Sequence, residues 1–309
     1  MKSLQSDILR TLLYYDIWHY PLTATELFTF LPVNSMTFEE FDKYLREQAT
    51  GDDILFDQGY YFVRGKGPGI VPQRREKEHH AQLMWRMAAI SMHIIKRFPF
   101  VRGVCVSGDL SKNATNRKSD VDFFVITEPG RLWITRTLLI LFKKVFLLNS
   151  KKYFCLNYFV TTDHLTLDDH NVFLATEIAH LKPLYNSGLF RKYFASNQWI
   201  RDYFPNYDLR HLQFPVANER QSLLQRLLEI PFSFIAADTL DTYLMNKMAE
   251  IWARRYPEFD DTTRQKIFRC TKNESRAYVG NFEEKILAIY EQKLRKFGVS
   301  AGQKKESDS

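Results

Sequence analysis

Apolar residues recur at the spacing of an α-helix in two segments near the start of the chain, residues 5–16 and 24–31. The second segment follows Pro21, which marks a turn and a helix start. A third helix is expected to begin at Thr37 and to end near Gly51, because acidic residues fill its first turn and glycine often ends a helix. The pattern therefore predicts three short helices in succession.

The helical spacing then gives way to a pattern typical of β-strands in residues 54–65. Gln58 and Gly59 interrupt this pattern at the place where a tight turn would join two short strands. Three helices followed by a β-hairpin is the element order of a winged helix-turn-helix. We therefore expect a winged-helix-like module over residues 1–66.

The predicted third helix is acidic, which bears on whether this module binds DNA. The segment TFEEFDKYLREQATGDD carries six acidic residues against Lys43 and Arg46. A helix that enters the major groove normally presents a cationic face to the phosphates. A packing or protein-contact role is therefore favoured for the module, and DNA binding stays open as the weaker alternative.

Glycine and proline punctuate residues 65–72, and a charged run, RREKEHH, follows at 74–80. Such a break marks a domain boundary. Apolar periodicity resumes at 81–98 and predicts a connecting helix that stops before Pro99. We therefore assign residues 67–95 to a linker and connecting helix.

The remaining chain divides into a part with both strand and helix patterns and a part with helical patterns alone. We expect a small mixed-sheet domain at 96–190, a helical C-terminal domain at 191–300 and a disordered tail at 301–309. The helical patterns of the C-terminal part, separated by prolines, lie at 219–229, 234–256, 263–270 and 281–297. The predicted fold class is α+β.

The composition is that of a globular protein with a sizeable core: 309 residues, of which 45% are hydrophobic. A net charge of +7 favours nucleotides, nucleic acid or anionic surfaces as partners, although an ordinary basic soluble protein would carry it equally well. Three widely spaced cysteines suggest neither a disulfide framework nor a zinc site. Because the first residues lack the features of a secretory signal, we expect a cytoplasmic protein.

The most apolar stretch, residues 132–148, is shorter than the roughly 20 apolar residues needed to cross a bilayer. It also carries Arg136, Lys143 and Lys144, whose charges are costly in a membrane. A buried helix is the better interpretation, and no membrane partner is expected.

Candidate chemistry is concentrated in the run VRGVCVSGDLSKNATNRKSDVDFFVIT at residues 101–127. It predicts a buried strand that ends at Ser107 and Gly108, a polar loop, and a second strand that contains an acid–hydrophobic–acid triplet. Side chains at i and i+2 of a strand share one face, so Asp120 and Asp122 project together. Mg²⁺ suits such a pair, because it prefers oxygen ligands and completes its shell with phosphates and water. Gly108 lets the backbone approach phosphate oxygens closely.

A strand, a glycine turn, a spacer and an acid–hydrophobic–acid triplet follow one another in the order of the DNA polymerase β-like nucleotidyltransferase superfamily, which the chain resembles. Members hold divalent metals with the two acids, and a third acid on a later strand helps to activate the attacking hydroxyl. The resemblance implies that Asp120 and Asp122 bind Mg²⁺. It also places a set of residues near the phosphates of a nucleoside triphosphate: Ser107, Gly108, Asp109, Ser111 and Lys112.

The resemblance extends beyond this motif. The winged-helix-like front and three further segments look like those of bacterial proteins described only as nucleotidyltransferase-domain proteins. These segments are FPFV at 98–101, RLWITRTLLILFKK at 131–144 and EIAHLKPLYN at 177–186. The likeness covers most of residues 1–300, but the catalytic motif covers only a small part of them.

Two residues depart from the pattern of active members. Asp109 stands where a small residue normally follows the glycine, and its charge would lie close to a triphosphate. Asn157, on a strand predicted at 153–162, stands where the third acid is expected, and an amide cannot act as a base. Asp163 would supply that carboxylate only if the register of the strand differed.

The resemblance implies a magnesium-dependent enzyme that transfers a nucleoside monophosphate from a nucleoside triphosphate to an unknown hydroxyl acceptor, with Asp120, Asp122 and Asn157 in its catalytic centre. A catalytically inactive nucleotide-binding or regulatory module with the same fold is the alternative that Asp109 and Asn157 favour. A winged-helix DNA-binding regulator is a further alternative, and it predicts an affinity for DNA that falls steeply with salt.

Overall fold

The computed structural model describes residues 2–49, 51–67, 69–209, 221–233, 236–277 and 282–300. The chain is α+β, as predicted, with helices around one mixed sheet and a second, two-stranded sheet. The tail expected at 301–309 lies outside the described residues. Within the described ranges, no helix combines the length and the apolar character needed to cross a membrane.

The first part of the chain contains α1 (Lys2–Tyr15), α2 (Ala24–Thr29), α3 (Phe38–Tyr44), β1 (Ile54–Asp57) and β2 (Tyr60–Val63). Thr23 and Thr37 begin α2 and α3 through capping boxes. In each, the threonine hydroxyl accepts from the backbone N–H of a glutamate three residues on, and the carboxylate of that glutamate accepts from the backbone N–H of the threonine. The hairpin turns at Gln58 and Gly59, whose φ angles are 48° and 93°, the sign that a type I′ turn requires. Three helices and a hairpin therefore occur in the predicted order.

The next helix, α4 (Ile70–Ile95), begins earlier than predicted. The charged run at 74–80, expected to precede the helix, lies within it. Pro72 is tolerated because it occupies the first turn, where a backbone N–H has no helical partner. Arg74 is buried and binds Glu78, one turn further along, at 2.6 Å. The first arginine of the charged run therefore faces the protein, and only part of the run faces water.

The mixed sheet consists of β3 (Val101–Ser107), β4 (Asp122–Thr127), β5 (Cys155–Thr161), β6 (Lys182–Tyr185), β7 (Phe268–Cys270) and β8 (Glu274–Ala277). The strands lie in the order β6-β3-β4-β5-β8-β7. β3 is antiparallel to both of its neighbours, β4 and β6. β4 and β5 are parallel and are connected by α6 (Leu132–Phe146), the crossover that parallel neighbours need.

The two faces of this sheet pack against different helices, because successive side chains of a strand alternate in direction. Phe124 of β4 belongs to a core shared with α7 (Val172–His180), α8 (Ser187–Ser196) and the helices of the first part of the chain. Its neighbour Phe123 belongs to a core shared with α4 and α6. We call these sides the α7 face and the α6 face.

The expectation that residues 191–300 are all helical is wrong. Their helices are α9 (Ile200–Tyr203), α10 (Leu223–Glu229), α11 (Ala237–Arg255), α12 (Asp261–Ile267) and α13 (Phe282–Lys296). Between the last two, however, β7 and β8 form a hairpin that extends the mixed sheet by pairing β8 with β5. Strands of three and four residues are too short to show the alternation of apolar and polar residues that predicts a strand. A buried polar contact supports the pairing of β8 with β5: the Tyr158 hydroxyl donates to Glu274 Oε1 at 2.6 Å.

Polar side chains hold α10 in place, while its leucines face outward. Gln225 is fully buried, and its amide nitrogen donates to the carbonyl oxygens of Phe98 and Val101 at 3.1 and 2.7 Å. One turn further on, Glu229 accepts from the backbone just before β3. Leu227, on the opposite side, is 62% exposed. Hydrogen bonding rather than apolar burial therefore fixes this helix.

The first part of the chain packs directly against the loop that follows β3. The Tyr20 hydroxyl donates to the carbonyl oxygen of Lys112, and the Arg74 guanidinium lies 3.6 Å from the centre of the Tyr20 ring. From the other end of the chain, Lys293 on α13 forms an ion pair with Asp16 at 2.5 Å. The first part of the chain thus contacts the loop through Tyr20 and is joined to α13 through Asp16.

Candidate functional site

A glycine turn ends β3 and begins the site. Gly108 follows the last residue of the strand and opens the short helix α5 (Gly108–Ser111). Its φ is +65°, a region that other residues rarely adopt. A Cβ at this position would lie closer to Asp122 Oδ2 than real Cβ atoms approach any atom. Glycine is therefore required both by the backbone conformation and by the carboxylate packed against it.

Asp120 and Asp122 flank a buried residue at the start of β4. The Val121 N–H donates to Lys152 O, and Val121 O accepts from the Cys155 N–H, both at 3.0 Å. Because the Val121 side chain is buried in the core of the α6 face, its two neighbours project away from that core. The pair register places Asp122 opposite the last residue of β3 and opposite Cys155 at the start of β5.

The Asp122 carboxyl is buried, and other acids lie around it. Burial raises the pKa of its carboxyl to about 6, although a hydrogen bond from Cys155 acts in the opposite direction. The neighbouring charges of Asp109, Asp120 and Glu177 contribute smaller parts of this rise. Three other carboxyl groups therefore lie within electrostatic range of Asp122, and a cation at this position would offset their repulsion of it.

Asp109 has a structural partner that the sequence did not suggest. Its Oδ2 accepts from the Ser119 hydroxyl at 2.7 Å, and its carbonyl oxygen accepts from the backbone N–H groups of Lys112 and Ala114 at 3.2 and 2.9 Å. The residue thus joins the two ends of the spacer between the glycine turn and the acid pair. Its negative charge nevertheless contributes to the field at Asp122.

The other residues predicted near the phosphates differ in how far they are already engaged. The Ser111 hydroxyl donates to Gly108 O at 2.8 Å and closes the turn. Lys112 Nζ forms an ion pair with Glu177 Oε1 at 2.7 Å. The Ser107 hydroxyl is buried, and it has no hydrogen-bond partner within the described part of the chain. Buried hydroxyls are normally paired, so Ser107 is the group that a ligand would satisfy.

Asn157, predicted in the place of the third acid, lies at an irregularity of β5. The register with β4 shifts there: Phe123 is paired with Leu156, whereas Phe124 is paired with Tyr158. One extra residue in a strand is a β-bulge, which redirects the side chains around it. Asn157 consequently lines a cavity on the α7 face, together with Ser107 and Glu177.

The alternative acid, Asp163, lies elsewhere. β5 runs parallel to β4 from Cys155, opposite Asp122, to Thr161, opposite Thr127. Six residues of strand span roughly 20 Å, and Asp163 follows at the far end. The register therefore places Asp163 and the acid pair at different ends of the strands.

The acid that does lie near the pair, Glu177, was missed from the sequence. It lies on α7, which is not adjacent in the chain to β3 or β4. A signal was present, because Glu177 is the only charged residue in the segment VFLATEIA at 172–179, which is apolar apart from Glu177 and Thr176. A single carboxylate on a helix that is buried on most sides normally has a specific partner.

Comparison of the chain with models of known protein families, with curated proteins and with solved structures finds no match.

The donor set is suited to a hard divalent cation. Asp120 and Asp122 offer carboxylate oxygens on one side of the chain, and the pKa of Asp122 is raised mainly by burial and in smaller part by the negative charges around it. Among the described residues, no three His, Cys, Asp or Glu side chains are grouped as a metal site by themselves. Mg²⁺ does not need such a group, because one or two carboxylates suffice when substrate phosphates and water complete its shell. The residues present thus fit Mg²⁺ in the company of a nucleotide.

Proposed function

We propose that this protein is a nucleotidyltransferase, which uses Mg²⁺ to transfer a nucleoside monophosphate from a nucleoside triphosphate to a hydroxyl acceptor. The observation that carries the proposal is the close approach of Gly108 to Asp122, which leaves no room for a side chain between the glycine turn and the acid pair. A turn that exposes backbone beside two carboxylates is the arrangement needed to hold phosphates and a divalent cation together.

Each residue of the site has a role in this proposal. Asp120 and Asp122 would hold Mg²⁺, which supplies neutralisation of phosphate charge and alignment of the reacting groups. The Ser107 hydroxyl, which has no partner in the described structure, and the backbone of Gly108 would bind phosphate oxygens. Lys112 brings a positive charge to the same turn, and a lysine ammonium is a common phosphate ligand.

A catalytically inactive nucleotide-binding module is the second candidate, and one observation favours it. β5, the strand that carries the third acid in the superfamily, has the sequence CLNYFVT and offers an amide at Asn157 instead of a carboxylate. Such a module would bind a nucleotide with Mg²⁺ but would not transfer it. The two candidates differ only in the second stage of the test.

The first stage measures binding. The purified protein is titrated with each of the four ribonucleoside triphosphates by calorimetry, with and without Mg²⁺. We expect Mg²⁺-dependent binding of at least one of them, and its loss in the Asp120→Asn/Asp122→Asn variant. The control variant Asp52→Asn/Asp57→Asn makes the same change of charge in the β1 region, away from the site, and should bind as the wild type does. Binding that is absent in the wild type, or retained in the site variant, would refute the proposal.

The second stage measures transfer. The nucleotide that binds is supplied with a label on its α-phosphorus, and small alcohols, nucleic acids and the protein itself are tested as acceptors, since the fold does not select among them. Release of pyrophosphate together with transfer of the label supports the enzyme. Tight Mg²⁺-dependent binding with neither event favours the inactive module.

A further inference from the structure

The acid pair lacks a third carboxylate from β5, whereas Glu177 reaches the same side of the sheet from α7. Cys155 stands directly opposite Asp122, and Asn157 occupies the bulge, so neither β5 residue beside the pair is an acid. Glu177 enters the same place from α7 and lines a cavity with Ser107 and Asn157. Its charge also contributes to the raised pKa of Asp122. A helix thus brings to the site the group that the strand omits.

The cavity is small and polar on one side. Its volume is about 20 Å³, enough for one water molecule but not for a nucleotide. The Ser107 hydroxyl, 7% exposed and without a hydrogen-bond partner in the described structure, lines it next to Glu177. The place beside Glu177 is therefore one where a buried polar group still needs a ligand.

Glu177 is not free in this arrangement, because Lys112 neutralises it. The Nζ–Oε1 distance is 2.7 Å, and both side chains are mostly buried. Two hydrogen bonds hold the backbone of Lys112: its N–H donates to Asp109 O, and its carbonyl oxygen accepts from the Tyr20 hydroxyl. Only the flexible stem of the lysine can move. The ammonium is thus tethered to the glycine turn and shared with the acid.

We propose that the Lys112–Glu177 ion pair is a latch that a nucleoside triphosphate opens, so that Glu177 becomes the third carboxylate of the site. The inference rests on the proposed function. A triphosphate carries several negative charges, whereas Glu177 carries one, so a phosphate beside Gly108 takes the Lys112 ammonium. Glu177 is then a carboxylate without its ammonium partner beside the reacting groups, and it becomes available as a general base only after the nucleotide has bound.

The released carboxylate has a defined task. Glu177 accepts the proton of the acceptor hydroxyl while the hydroxyl oxygen forms a bond to the α-phosphorus. The bond from that phosphorus to pyrophosphate breaks, and pyrophosphate leaves with the electron pair. In the absence of nucleotide, the Lys112–Glu177 pair keeps the carboxylate engaged with the ammonium.

The test is a double-mutant cycle on nucleotide affinity, measured by calorimetry with Mg²⁺. Removing the competitor by Glu177→Gln should tighten nucleotide binding about fivefold, as expected for one partly buried ion pair. Lys112→Met should weaken binding about tenfold or more, and Lys112→Arg should restore most of it, which excludes a general loss of folding. In the Lys112→Met background, Glu177→Gln should have no effect. The control pair Lys247→Met and Glu250→Gln removes a solvent-exposed ion pair of the same residue types and should change nothing.

Transfer provides the second readout. Glu177→Gln should abolish transfer while binding is retained, and Asn157→Asp in that background should recover part of it, because the bulge directs residue 157 to the same cavity. Equal effects of Glu177→Gln with and without Lys112, or transfer undiminished in Glu177→Gln, would overturn the latch while leaving the proposed function intact. Absence of nucleotide binding in the wild type would overturn both.

Discussion

The contact between Gly108 and Asp122 decides whether the candidate site exists, and Gly108→Ala tests it. An L-residue at a φ of +65° costs about 1–2 kcal/mol. The added Cβ would also collide with Asp122 Oδ2. Displacing a buried carboxylate that accepts a hydrogen bond from Cys155 costs about 1–3 kcal/mol more. We therefore expect the free energy of unfolding to fall by about 2–5 kcal/mol.

The chain offers a matched control for the backbone cost alone. Gly298 has a φ of +66°, and a Cβ there would meet nothing within 4 Å. Gly298→Ala should therefore lose only about 1–2 kcal/mol. Both variants are compared with the wild type by urea unfolding, where equal slopes show that the unfolded states are alike. The excess loss in Gly108→Ala then measures the collision.

A second substitution isolates the carboxylate. In an Asp122→Ala background the collision partner is absent, so Gly108→Ala should cost about as much as Gly298→Ala does. The interaction energy of the cycle should be about 1–3 kcal/mol. Equal losses in the two glycine variants, or strict additivity in the cycle, would show that Asp122 does not lie against the turn. The metal–nucleotide proposal would then lose the geometry on which it depends.

Three further predictions concern buried polar groups. The pKa of the Asp122 carboxyl is raised from 3.8 to about 6, so between these pH values the folded state binds an extra proton and its stability falls as the pH rises. Asp122→Asn should therefore show a flatter profile of stability against pH from about pH 4 to 6, and it should be more stable than the wild type above about pH 6. Identical profiles of the two proteins in urea unfolding would contradict this. Arg136 is buried beside the Phe159 ring, burial lowers its pKa to about 10, and its Nε has no hydrogen-bond partner in the described part of the chain. Arg136→Met should therefore leave the free energy of unfolding unchanged or raise it by about 1–2 kcal/mol. A loss of about 3 kcal/mol would instead reveal an anion that compensates the buried charge. Gln225→Ala should lower the free energy of unfolding by about 1–3 kcal/mol, because two carbonyl oxygens lose their donor. Leu227→Ala, on the exposed side of the same helix, should change it by no more than about 0.5 kcal/mol. Similar losses for the two variants in urea unfolding would show that α10 is held by its leucines instead.

The elements predicted well from the sequence are those determined by neighbouring residues. Thr37 begins α3 because its hydroxyl and Glu40 form a capping box within four residues. Gln58 and Gly59 form the hairpin turn because they tolerate positive φ. The order of β3, the glycine turn and β4 follows from the same kind of local signal. Contacts distant in sequence contribute little to these choices.

The elements that were missed depend on contacts between distant segments. α4 begins before the charged run because Arg74 is buried against Glu26 of α2 at 2.8 Å, a partner that the periodicity of α4 itself cannot reveal. The β7–β8 hairpin is a pair of strands only because β5 has an open edge beside it. The bulge at Asn157 and the approach of Glu177 both arise from packing on the α7 face, so the third acid could not be located by counting residues from the acid pair.

The same packing explains how so many acids can share one place. Repulsion from Asp109, Asp120 and Glu177 disfavours the charged form of Asp122 and adds to the rise in its pKa, of which burial is the largest cause. Each acid other than Asp120 has a partner that reduces this cost: a hydroxyl for Asp109, the Cys155 thiol for Asp122 and the Lys112 ammonium for Glu177. Only the last of these partners carries a positive charge, and it is attached to the turn where a phosphate would bind. A phosphate that binds the Lys112 ammonium would take the single positive charge away from the acids, and a divalent cation bound with that phosphate would replace it with a larger positive charge. For this reason we expect nucleotide and Mg²⁺ to bind together rather than separately.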